Sequence, residues 1–126
     1  MKVGLTKRHM PDEIQDFVFG DRIENPMDFA SHRDVVSGWL SENSDALVEE
    51  ERLNLYVTGL SPLLVAFLEG WTNLNLEGVS LKLMHWDREE ETYLAQTFDT
   101  SSISSGEWVM KSAFGYKGTT GDEQDE

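Results

Sequence analysis

"LYVTGLSPLLVAFLEG", residues 55–70, carries the transition on which the fold turns. Leu55, Tyr56 and Val57 close an apolar run that begins at Leu53. The run is too short for a helix, and its aromatic and branched residues suit a strand. Thr58-Gly59-Leu60 interrupts it as a turn. Ser61 is a residue type that caps helices, and Pro62 has the fixed φ that suits a first helical position. Leu63 to Leu68 and Trp71 are then apolar nearly all round, which predicts a helix buried on most of its surface. A helix that starts at the carboxyl end of a strand and packs back on the sheet is half of a βαβ unit.

The other half is "VSLKLMHW", residues 79–86, where Val79, Leu81 and Leu83 alternate with Ser80 and Lys82 as in a half-buried strand. "DREEE", residues 87–91, reads as a polar turn, and "TYLAQTF", residues 92–98, as a second alternating strand. Together they predict a hairpin beyond the parallel part of the sheet. Upstream, "KVGLT", residues 2–6, is a short strand. "MPDEIQDFVFG", residues 10–20, reads as a helix. Pro11 stands in its first turn, Asp12 and Glu13 favour the positive end of its dipole, Ile14, Phe17 and Val18 share one face, and Gly20 stops it. "DRIENPMDFA", residues 21–30, is a loop. A helix follows from Ser31, with Asp34 completing a variant capping box and Val35, Val36, Trp39 and Leu40 as its stripe. Residues 42–51 hold five acids and read as a solvated helical end or linker. "EWVMKSAFGY", residues 107–116, is a further strand candidate.

The expected order is β-α-α-β-α-β-β, an α/β fold with a small mixed, partly parallel sheet, helices packed on it and a C-terminal hairpin. Residues 1–117 read as a single α/β domain and residues 118–126, with four acids and no base, as a disordered acidic tail. Trp39 and Trp71 belong to the core in this reading rather than to a stacking platform.

Composition narrows the function. The absence of cysteine excludes disulfides, thiolate metal sites and thiol nucleophiles. There are 24 Asp plus Glu against 10 Lys plus Arg, a formal net charge of −14. Such a balance predicts repulsion from nucleic-acid phosphates and from anionic membranes, so neither is expected as a direct partner. With no run of signal-peptide or membrane-span length, the expected location is the cytoplasm. An acidic surface also suits a basic groove on another protein.

Ligands of open parallel sheets bind beyond the carboxyl ends of the strands, near helix N-termini. The first strand delivers Thr6, Lys7, Arg8 and His9 to that edge, the second Thr58, Gly59 and Ser61, the third His85, Asp87 and Arg88. Basic and hydroxyl groups beside helix N-termini describe an anion site, and phosphate is the commonest such anion. In this reading Lys7 and Arg8 neutralise phosphate, the amides of Gly59 to Ser61 cap it, and His85 and Arg88 orient it. His9 and His85 are the candidate acid–base groups should a phosphodiester be cleaved. The plainer readings stand beside this one: a turn and cap at residues 58–62, exposed loop cations at residues 7–8, a hydrogen-bonded His85 and a solvated hairpin tip at residues 87–91. His9, His32 and His85 show no metal-ligand spacing, and neither a dinucleotide fingerprint, a P-loop nor a GxSxG elbow is present, so no metal and no cofactor is expected.

"LYVTGLSPLLVAFLEG" with "VSLKLMHWDREEETYLAQ" after it is similar, over about residues 53–96, to small uncharacterised prokaryotic and phage proteins of CRISPR or mobile-element neighbourhoods. That resemblance rests on the turn and the "HWDRE" hairpin and brings no active site. It implies either a sensor or hydrolase of nucleotide signals, or a phage-type inhibitor of a nucleic-acid-binding machine. Two functions are thus expected: a domain binding a nucleotide or nucleotide signal at the sheet's carboxyl edge, or an acidic, anti-CRISPR-like interaction module that mimics nucleic acid and meets a basic partner. A third expectation is a homo-oligomer joined through the hairpin edge.

Overall fold

The computed structural model describes residues 1–7, 10–20 and 23–99. The chain forms strand β1 (Lys2–Gly4), helix α1 (Phe29–Glu50), strand β2 (Arg52–Tyr56), helix α2 (Ser61–Leu74), strand β3 (Ser80–Asp87) and strand β4 (Thr92–Phe98). The strands lie in the order β1-β2-β3-β4, β1 to β3 parallel and β4 antiparallel to β3. The expected α/β class, the mixed sheet and the hairpin are all present. The strand candidate at residues 107–116 and the tail at residues 118–126 lie outside the described residues.

Strand alternation puts Val3, Leu53, Leu55, Leu81 and Leu83 on one face of the sheet. That face meets Val36, Leu40 and Leu47 of α1 and Leu63, Ala66, Phe67 and Trp71 of α2 in one core. The helices also pack on each other. A Cβ on Gly70 would stand 2.6 Å from Val36 Cγ1, so the closest approach needs glycine there. Trp71 stacks on Phe67, which also meets Trp39 at 6.1 Å. α2 is buried on one side only. Leu64 and Leu68 are half-buried and Val65 is 56% exposed, because nothing described covers the outer side of this two-layer arrangement.

The predicted helix over residues 10–20 does not form. Its backbone is used by the outer edge of β1 instead: Gly4 N–H donates to Asp16 C=O (2.9 Å), Val18 N–H to Gly4 C=O (2.9 Å) and Phe19 N–H to Leu5 C=O (2.8 Å). So short a helix is marginal by itself, whereas an open strand edge leaves backbone groups without partners. Ile14 and Val18 are still buried, so their spacing reported burial and not a helical period. Gly4 makes room for the crossing, since a Cβ there would lie 2.9 Å from the Phe17 ring.

Two helix starts also differ from expectation. α1 begins at Phe29, capped by Asp28, whose side chain accepts from Ser31 N–H at 3.3 Å. It then runs through the acid-rich stretch to Glu50. Buried His32 ties its first turn to the preceding loop by donating from Nε2 to Pro26 C=O at 2.8 Å. At α2 the cap position is Leu60, without a side-chain cap, and Ser61 is the first helical residue.

Candidate site at the carboxyl edge of the sheet

An open cleft of about 940 Å³ lies where β2 and β3 end. Its walls come from four separate segments: Met10 and Pro11, the turn Val57 to Leu60, the end of β3 with His85, Trp86 and Arg88, and Tyr93 at the start of β4. The parallel pairing of β2 with β3 is what brings the turn after one strand beside the end of the other. Volumes of this order suit small organic ligands.

Four of the residues expected at this edge, Thr58, Gly59, His85 and Arg88, line the cleft together. Others do not. Thr6 is buried, its hydroxyl donating to Gly20 C=O at 3.0 Å. Lys7 is exposed and outside the lining, and Ser61 has turned into the helix. Arg8 and His9 lie outside the described residues. Of the three amides expected to cap an anion, that of Leu60 is already taken by Thr58 Oγ1 at 3.1 Å. The amides of Gly59 and Ser61 make no such bond among the described residues.

His85 is held by its neighbour across the hairpin. Nε2 and the Gln96 side-chain amide share a hydrogen bond of 2.7 Å, which orients the ring. Arg88, one residue into the hairpin turn, forms no ion pair with a described residue. The turn itself is closed by Glu91 N–H on Asp87 C=O (2.8 Å) and Glu89 N–H on Asp87 Oδ1 (3.0 Å). That pattern aims Asp87 into its own loop rather than into the cleft.

Sequence reasoning missed the aromatic wall. Tyr56, Trp86 and Tyr93 form a chain of edge-to-face contacts, with Tyr93 at 4.8 Å from Tyr56 and at 5.2 Å from Trp86. Trp86 remains 53% exposed. Partial burial raises the Tyr93 phenol above its ordinary pKa, with Tyr56 and Glu13 adding to the effect, so Tyr93 is a neutral donor at physiological pH. The alternation of β3 contained the signal: Trp86 shares the parity of Ser80 and Lys82, opposite to the buried leucines. Among the described residues no group of His, Asp and Glu is arranged to hold a metal ion. No helix there is long and apolar enough to cross a membrane.

In comparison with known proteins, the chain matches no family model, no curated protein and no solved structure.

Proposed function

We propose that this chain binds a nucleotide, or a nucleotide-type signal, in the cleft at the carboxyl edge of its sheet. The observation that carries this reading is the convergence of Thr58, Gly59, His85 and Arg88, from two segments far apart in the chain, on one cavity walled by Trp86 and Tyr93. Arg88 supplies the cation and planar donor fork that suit a phosphate. The Gly59 amide and the Tyr93 hydroxyl add donors, and the aromatic wall suits a base. Calorimetric titration with linear and cyclic nucleotides tests the reading. Binding in the micromolar to millimolar range that Arg88→Ala weakens about tenfold supports it; no heat at millimolar ligand with any of them overturns it.

A second reading rests on the helical layer. Asp34, Glu42, Asp45, Glu49 and Glu50 are all exposed on α1, where Arg33 is the only base. Such a face suits a basic surface on another protein, as an acidic, anti-CRISPR-like module that mimics nucleic acid would use. Capture of a basic partner that is lost between 50 and 500 mM salt, and lost with α1 charge reversals but not with Arg88→Ala, would favour this reading over the first.

A further inference from the structure

The face of the sheet turned away from the helices carries a second feature in line with the cleft. Register and alternation place Lys2 and Gly4 of β1, Arg52, Asn54 and Tyr56 of β2, Lys82, Met84 and Trp86 of β3, and Tyr93, Ala95 and Thr97 of β4 on that face. These positions include three cations and no acid. Lys2 is paired with Glu13 at 3.2 Å. Arg52 and Lys82 make no ion pair with a described residue. They sit on adjacent strands, since Arg52 is in register with Ser80, two residues before Lys82. Lys82 is four residues from Trp86 on the same strand, about 13 Å at the usual rise. Between them run Met84 and the exposed small side chains of Ala95 and Thr97, so no large neighbour among the described residues obstructs the strip along β3 and β4.

An aromatic platform at one end of an open sheet face and, at the other, two cations with no ion pair among the described residues is the arrangement that holds single-stranded nucleic acid, with bases stacked on rings and the backbone following positive charge. The spacing exceeds the reach of a monophosphate whose base lies on Trp86, and later phosphates of the same strand reach it. We propose that the ligand is a short single-stranded oligonucleotide, on the order of four nucleotides, with one base stacked on Trp86 beside Tyr93 and its backbone running down β3 to Lys82 and Arg52. This rests on the reading of the cleft as a nucleotide site and names the ligand's extent.

The net charge of −14 is not spread evenly over the described residues, since none of the strip's own positions is an acid. The acids of α1 and α2 lie across the sheet, and layers pack roughly 10 Å apart. That exceeds the screening length of about 8 Å at physiological salt. Of the acids that flank the strip, Glu13 is held by Lys2, Asp87 has its carboxylate on the Glu89 amide, Glu50 is held by the N-terminal amine, and Glu51 directly precedes Arg52.

The test is calorimetric titration of the full chain with AMP and with tetra-adenylate at several salt concentrations, on the native protein, on Trp86→Ala and on Arg52→Ala with Lys82→Ala. All substituted side chains are at least partly exposed, and unchanged circular dichroism will confirm folding. Tetra-adenylate is expected to bind at least tenfold more tightly than AMP, with a salt slope steeper by about 1.4 for two extra phosphates. The double variant is expected to weaken the tetranucleotide about tenfold and to leave AMP unchanged, and Trp86→Ala to weaken both roughly tenfold. Equal affinity for the two ligands, or a double variant without effect on the longer one, overturns the oligonucleotide and leaves the nucleotide site standing. Absence of binding by either ligand and by the rest of the nucleotide panel removes both.

Discussion

The two faces of the sheet are made by the same residues in alternation, yet they differ in every physical respect. On the helix side, Leu53, Leu55 and Leu81 are fully buried against α1 and α2, and the outer surface of those helices is acidic. On the other side, the cover among the described residues is an irregular segment over β1, and β3 and β4 present Lys82, Trp86, Ala95 and Thr97 to solvent. The first face holds the protein together by area removed from water and by close packing. The second has little such burial to lose, so it tolerates exposed rings and charges at little cost in stability. Burial and exposure are thus divided between the sides of one layer about one strand thick.

That division is open to attack by substitution. The greatest effect belongs to the helix side: Phe67→Ala removes a fully buried ring shared with Trp39 and Trp71 and is expected to cost about 3–5 kcal/mol in urea unfolding. Next come two helical glycines with opposite expected signs. Gly70→Ala drives a methyl to within 2.6 Å of buried Val36 and should destabilise by about 1–3 kcal/mol despite alanine's better helix propensity. Gly38→Ala on α1 meets nothing within 4 Å and should stabilise by about 0.5–1 kcal/mol. Equal signs for the pair would refute the close crossing of the helices. Glu51, the left-handed residue between α1 and β2 at φ 65°, offers a gain of about 0.5–1 kcal/mol on replacement by glycine. On the open face, Trp86→Ala should shift the unfolding midpoint by less than about 0.5 kcal/mol, and a larger loss would make Trp86 a core residue instead of a platform.

The pH dependence of unfolding sharpens the same contrast with the smallest signal. The folded state holds the Tyr93 proton more firmly than the unfolded chain, first through partial burial. Its contribution is therefore complete below the ordinary phenol value near 10 and is lost as pH rises through the higher folded value. Urea midpoints measured from pH 8 to 11 should fall less steeply in Tyr93→Phe than in the native protein; identical slopes would mean that the phenol is solvated.

Much of this was legible in the residues. β4 was read with its observed limits, and β3 within one residue at each end, because their alternation is regular and polar residues flank them. The turn after β2 and the helix beyond it were readable from Thr58-Gly59 and Pro62. The segment at residues 10–20 reads as a helix because Ile14, Phe17 and Val18 satisfy a helical spacing equally well when a crossing chain buries the first and last of them. Two helix starts lie earlier than the residues suggest: Leu60 occupies the cap position of α2 in place of Ser61, and Asp28 caps α1 in place of Ser31. In the candidate site, Thr58, Gly59, His85 and Arg88 were recognisable as residues that follow strands. Tyr93 and Met10 were not, since one reaches the cleft through antiparallel pairing with β3 and the other through the loop along β1.

By itself the sequence determined the α/β class, the leucine-bearing sides of β2 and β3, the hairpin and the excess of acid, because each follows from composition or from a period within one short segment. Only the tertiary structure decided that the acids of α1 and the cations Arg52 and Lys82 lie on opposite sides of the sheet, and that Trp86 meets Tyr93 at the cleft. Those relations depend on register and crossover between segments distant in the chain, and backbone hydrogen bonds across the sheet set them where no local preference can.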